Sequence, residues 1–146
     1  MFACQLLEES ESGPGTTCST LMETLGLEGT LLGVDVVRAG SVIGSDLSER
    51  EILDAVADAE CRLVLTPVGG QGFLLGRGNQ QISPQVLRRV GKENIVIVAT
   101  AEKLSSLRGR PLLVDTGDPD TDAWLSGYYR VVTGYREVTV YGVEAA

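Results

Sequence analysis

Residues 94–99 (NIVIVA) set the strictest limit on what this 146-residue chain can fold into. Ile95, Val96, Ile97 and Val98 put branched apolar side chains at consecutive positions, so both faces of an extended segment would be apolar. That pattern belongs to a central parallel strand covered on each side, not to a strand with one wet face. The run is also far shorter than the roughly 20 residues that a membrane-spanning helix needs. Helices must therefore flank a sheet, and the rest of the sequence supplies them.

Ser48 with Glu51 forms a capping-box pattern, followed by Ile52, Leu53 and Val56 on one helical face. Ser83 is an N-cap with Pro84 at the first helical position, Val86, Leu87 and Val90 facing inward, and Gly91 as the stop. A short helix over residues 102–107 and another opened by Asp118-Pro119 continue the series, and Leu21, Met22 and Leu25 mark an earlier helical face ending at Gly26. Between these lie strand-like runs at residues 30–38 and 41–44, joined as a hairpin by Ala39 and Gly40. Others lie at residues 61–65, 111–115, 128–133 and 136–143. The alternation predicts an α/β fold, a Rossmann-like three-layer sandwich with a mainly parallel sheet and an antiparallel element near the C-terminus. Residues 13–146 are expected to form a single domain, and residues 1–12 an atypical N-terminal segment.

Composition removes several chemistries. There is no histidine, so imidazole catalysis is excluded, and Cys4, Cys18 and Cys61 lack partners for a zinc site and read as small apolar side chains. The net charge of -8 is uneven: residues 1–60 carry 12 acidic and 2 basic side chains, residues 61–146 carry 8 and 10. An acidic whole without a basic stripe argues against nucleic acid, while the second part can still hold one small phosphorylated ligand. No apolar run fits a membrane span, and the acidic start MFACQLLEESESG is unlike a secretory signal, so a cytoplasmic protein is expected.

The strongest candidate ligand site is residues 66–81 (TPVGGQGFLLGRGNQQ), with Gly69, Gly70, Gly72, Gly76 and Gly78 between a strand and a capped helix. Glycine lets backbone N–H groups approach an anion closely and adopt positive φ. Arg77 adds a guanidinium fork for phosphate, and Asn79, Gln80 and Gln81 can recognise an amide or ribose. Gly13-Pro14-Gly15-Thr16-Thr17 is a second candidate phosphate site, or simply a turn that starts a helix. Asp115 to Asp122 (DTGDPDTD) brings four carboxylates after a strand, with Asp115 and Asp118 as candidate magnesium ligands, although capping also explains Asp118. These loops are expected beyond the carboxyl ends of strands, where open α/β sheets bind ligands. Asp35 lies in an apolar strand, facing solvent or else buried with a partner. Arg108-Gly109-Arg110-Pro111 is either a pair of cations for phosphate or a solvated turn, and Tyr128, Tyr129, Tyr135 and Tyr141 fit core packing or cross-strand pairs.

The runs TPVGGQGFLLGRGNQQISPQVLRRVGKENIVIVAT, LRGRPLLVDTGDPDTD and YYRVVTGYREVTVYGV, with GPGTT and LLGVDVV before them, resemble the carboxy-terminal region of archaeal and bacterial ATP-NAD kinase-like proteins. The resemblance spans about residues 13–143. It implies a phosphotransferase that moves the γ-phosphoryl group of ATP, or phosphate from polyphosphate, to the 2′-hydroxyl of NAD with Mg²⁺ or another divalent metal. Thr66, Pro67 and Gly69 match the family's Thr-Pro-x-Gly motif, whereas Gly70 and Gln71 replace the serine and threonine expected next. Thr66, Pro67, Gly69, Gly70, Gln71, Gly72, Arg77, Gly78, Asn79 and Gln80, with Gly13, Gly15, Thr16 and Thr17, are thus the expected nucleotide contacts. The Gly-Gly-Asp-Gly motif that carries the family's metal-linked base occurs nowhere in the sequence. EESES before GPGTT stands where the family would have a hydrophobic strand, as in a truncated or rearranged product. The expected partners are a small-molecule nucleotide, a separate Gly-Gly-Asp-Gly domain and further copies of the chain in a homo-oligomer. A stand-alone nucleotide- or phosphometabolite-sensing module is the alternative.

Overall fold

A computed structural model describes residues 2–6, 33–38, 41–58 and 60–146, the first of these spans for its backbone alone. The strands are β1 (Phe2–Leu6), β2 (Gly33–Arg38), β3 (Ser41–Gly44), β4 (Arg62–Leu65), β5 (Phe73–Leu75), β6 (Ile95–Val98), β7 (Leu112–Val114), β8 (Gly127–Gly134) and β9 (Glu137–Ala145). The helices are α1 (Glu49–Val56), α2 (Pro84–Val90), α3 (Ala101–Ser106) and α4 (Pro119–Leu125), with a 3₁₀ turn at Lys92–Asn94. The helical face around Leu21 lies outside the described residues. Among the described residues, no helix is long and apolar enough to cross a membrane.

The strands form one sheet in the order β3-β2-β1-β4-β6-β8-β9-β7-β5. Pairing is parallel across β1/β4, β4/β6, β6/β8, β9/β7 and β7/β5, and antiparallel across β1/β2, β2/β3 and β8/β9. This is the expected α/β sandwich with a mainly parallel sheet and an antiparallel pair near the C-terminus. β6 occupies the expected interior place, yet only Ile97 is buried, with Ile95, Val96 and Val98 partly exposed.

Two strands consecutive in the chain, β4 and β5, lie five places apart in the sheet. Were the sheet flat, strand spacings of about 4.8 Å would separate them by roughly 24 Å. The chain does not allow that. Leu65 and Val68 are within about 10 Å even if fully extended, and Val68 is bridged to Phe73 at the start of β5. The sheet must curl until its β5 edge approaches the carboxyl end of β4.

Local signals fix the helices. Ser48 accepts from the Glu51 backbone N–H while its own N–H donates to the Glu51 carboxylate, completing the capping box. Ser83 caps α2, accepting from the Val86 N–H, and its hydroxyl donates to Glu49 at 2.8 Å, tying α2 to α1. Gly91 stops α2 at φ 88. Ile52, Val56, Val86, Leu87 and Val90 then join Leu63, Leu65, Ile97 and Val131 of the sheet in one buried cluster. Buried Cys61 belongs to it, and burial raises its thiol above the ordinary pKa. Cys18 and the side chain of Cys4 fall outside the described residues.

Asp35 does not face solvent. Val34, Asp35, Val36 and Val37 are all buried, because β2 is covered on both faces, and the Asp35 carboxylate accepts the Asp46 N–H at 2.9 Å. Lys92 has a role that its neighbours in sequence do not disclose: its ammonium donates to the Trp124 and Ser126 carbonyls at 2.9 and 3.0 Å, closing the end of α4. Tyr129 and Tyr141 form the expected cross-strand pair against the core, while Tyr128 and Tyr135 are exposed.

Candidate functional site

The sequence presents residues 66–81 as a single glycine-rich loop, but the chain builds two tight turns around a buried strand. β4 runs into Thr66 and Pro67, both buried. Val68 and Phe73 then exchange backbone hydrogen bonds of 2.8 and 3.1 Å, and the Gly72 N–H donates to the Gly69 carbonyl at 3.2 Å. A four-residue turn results, with Gly69 at φ 68 and Gly72 at φ 73. Its two sides differ. A Cβ at Gly72 would stand 3.0 Å from Leu107, so that glycine serves core packing, whereas a Cβ at Gly69 or Gly70 would meet nothing within 4 Å. Gly70 and Gln71 are exposed, and the turn's own hydrogen bonds use neither of their N–H groups. Open backbone donors at a glycine turn are suited to an anion.

The second turn serves the fold. Gly76, at φ 95, lies against the Asp115 carbonyl. Asn79, expected to read a ligand, is instead buried: its amide oxygen accepts the Gly76 N–H and its amide nitrogen donates to the Leu74 carbonyl, both at 2.9 Å. Gly78 has φ 77 and is exposed with Arg77 and Gln80. The Arg77 guanidinium rests over the Phe73 ring at 4.3 Å.

Arg110 joins the first turn. β7 runs opposite in direction to β4, since β8 and β9 reverse the sheet, so the start of β7 and the end of β4 share one rim. There the Gly72 carbonyl accepts the Leu113 N–H at 3.0 Å, and the Arg110 guanidinium reaches the Gly70 carbonyl at 3.4 Å. Arg110 Nε also donates to the Leu107 carbonyl at 3.1 Å, and the Tyr141 hydroxyl donates to the Arg110 carbonyl at 2.7 Å. The reversal sends Asp115, at the carboxyl end of β7, to the opposite end of β5, beside Gly76. The two glycine-flanked regions and the acidic run therefore do not share one rim. The Gly13 to Thr17 candidate lies outside the described residues.

Comparison with protein families matches residues 10–143 to the ATP-NAD kinase C-terminal domain. The chain belongs to that family. Comparisons with curated proteins and with solved structures gave no match. Membership gives the chain an NAD kinase-type function at the level of the family, with ATP and NAD as the substrates in general.

A divalent metal, which NAD kinase-type chemistry implies, does not fit the acidic run of this ATP-NAD kinase C-terminal domain. Asp118 caps α4, accepting from the N–H and hydroxyl of Thr121. Asp122 is buried, and one of its oxygens accepts both the Thr116 N–H and hydroxyl, at 2.9 and 2.7 Å. Asp115 is exposed. Among the described residues no group of three or more Asp, Glu or Cys side chains is placed to hold a metal ion. Asp118 is thus engaged as the N-cap of α4, and Asp115 stands apart from that helix start, directly after β7 with its N–H on the Leu75 carbonyl.

The Thr121 hydroxyl is the main cause holding the Asp118 carboxyl below its ordinary value of 3.8, with its backbone N–H adding to the effect. A carboxyl lowered in the folded state stabilises the fold above its unfolded pKa, and that contribution disappears as pH falls through the lower folded value. Asp118→Asn keeps an acceptor at the cap but does not titrate. Thermal unfolding of the two proteins from pH 7 to pH 2 is expected to show a smaller acid-induced loss in the variant. Identical pH profiles would exclude this role.

Proposed function

We propose that this ATP-NAD kinase C-terminal domain binds an NAD- or ATP-like nucleotide at the turn of residues 69–72, contributing one wall of a site that forms NADP from NAD. The carrying observation is the exposed Gly69–Gly70 backbone beyond β4, with no side chain in the way and a guanidinium alongside. Thr66, Pro67 and Gly69 set the turn's start. Gln71 is the exposed side chain of that turn itself, whereas Arg77 and Gln80 are exposed at the turn beyond the far end of β5. The donor is ATP or polyphosphate, and a cytoplasmic location suits these substrates.

Phosphoryl transfer demands an in-line nucleophile, charge neutralisation and a positioned base or orienting group. The Gly-Gly-Asp-Gly motif does not occur in this sequence, and the metal-linked base is assigned to a separate domain bearing it. The chain alone is expected to bind without turnover. At a hundredfold excess over Kd, ligand should stabilise it by about 2.7 kcal/mol, a rise of several degrees in Tm. Incubation with NAD, ATP and Mg²⁺ tests both halves of the reading. Robust NADP formation by the chain alone would refute its dependence on another domain. The absence of any thermal shift with NAD, NADP or ATP would refute the site. Binding that never leads to NADP, even with a Gly-Gly-Asp-Gly domain added, would favour a sensing module.

A further inference from the structure

We infer that Arg110 is the residue that receives a phosphate of the bound nucleotide, held in place for that task by the 69–72 turn and β9; this rests on the nucleotide reading given above. Guanidinium carries five N–H donors in a planar fork. Two of them are directed at the Leu107 and Gly70 carbonyls, leaving three on an exposed side chain beside the open Gly69–Gly70 surface. The root of the side chain is fixed as well, since the Arg110 carbonyl accepts the Tyr141 hydroxyl from β9 and its N–H donates to Leu107. A cation whose backbone is pinned to the sheet offers its fork in a set direction, which limits the ordering cost of binding.

The contacts of the side chain are weak reasons for its presence as a structural element. Its reach to Gly70 is long at 3.4 Å. The Leu107 carbonyl already accepts the Arg110 N–H at 3.1 Å, so truncating the side chain orphans no buried group there. Arg77 is less well placed, because its guanidinium rests on the Phe73 ring. Between the two cations, Arg110 has the fork directed at the turn whose N–H groups are open. Together, fork and turn present charge-assisted and backbone donors to one anionic group, the chemistry of a nucleotide phosphate.

Calorimetric titration of the full chain with ATP and with adenosine, each at low and high salt, tests the assignment in wild type, Arg110→Ala and Arg110→Lys. Arg110→Ala should bind ATP roughly tenfold more weakly at low salt, the effect of one lost charge-assisted contact. Adenosine binding and Tm should stay at wild-type values, and the dependence of ATP affinity on salt should become shallower. Arg110→Lys should restore the salt dependence but only part of the affinity, because an ammonium lacks the fork. Wild-type ATP affinity and salt dependence in Arg110→Ala would overturn the assignment while leaving the nucleotide site intact. Equal losses for ATP and adenosine would also overturn it, marking a structural role. A wild-type chain that binds no ATP would overturn both readings.

Discussion

Gly76→Ala is expected to destabilise the protein by on the order of 3 kcal/mol, a large part of the roughly 5–15 kcal/mol that holds a typical domain together. Two costs combine at this position. The backbone sits at φ 95, a conformation that side chains rarely adopt. The added Cβ would also overlap the Asp115 carbonyl oxygen, and neither side can easily retreat. The Asp115 N–H is bonded to the Leu75 carbonyl at 3.2 Å, and Asn79 holds the Gly76 N–H. Gly69→Ala is the control: at φ 68 it meets the conformational cost, on the order of 1 kcal/mol, but has nothing within 4 Å to strike. Urea unfolding of both variants should separate them clearly. Equal midpoints would mean that the close approach to Asp115 is not what makes glycine necessary at position 76.

The second large effect is expected at Asn79. Removing its amide leaves the Gly76 N–H and the Leu74 carbonyl without the partners they have at 2.9 Å, in a position where the residue is 2% exposed. Orphaning two such groups should cost about 2–4 kcal/mol in Asn79→Ala. Asn79→Asp is more diagnostic. The introduced carboxylate can still accept from Gly76 but turns an oxygen toward the Leu74 oxygen, so its protonated form fits the fold better. Its folded-state pKa is therefore raised, and stability falls as pH rises above the unfolded value, near about 3.9. Unfolding at pH 4 and pH 7 should show the stability gap between N79D and wild type widening at the higher pH. A gap independent of pH would show that the amide donor is not the group that matters.

These positions also show where sequence reading succeeds and where it stops. Ser48 with Glu51, and Ser83 with Pro84 and Gly91, act within a few residues of themselves, so their helices are written locally and the structure places them as read. Phe73–Leu75 is equally apolar but is flanked by glycines, and nothing near it announces a strand whose ladder is with β7. Asn79 looks like an exposed reader in a polar string because the carbonyl it satisfies lies beneath it on that strand. For Asp35 the apolar strand around it leaves both a solvent-facing and a buried place open, and the structure decides for burial, with the Asp46 N–H as a partner. In the candidate site, the glycine turn is legible as backbone chemistry, whereas the choice of Arg110 over Arg77 requires the reversal of strand direction at β8 and β9. That same reversal removes Asp115 from the rim where the carboxyl ends of strands are expected to gather.

The wide separation of β4 and β5 in the sheet bears on the order in which the molecule can be assembled. A ribosome delivers the glycine segment directly after β4, but β5 has no ladder to join until β7 exists, and β7 in turn pairs with β9, whose Ala145 lies opposite Val114. The segment thus waits for almost the whole chain to emerge before its frame is available. The glycine turn is made midway along the chain and framed only near its end, so a nascent chain has its apolar Phe73–Leu75 run in hand well before it has anywhere to put it.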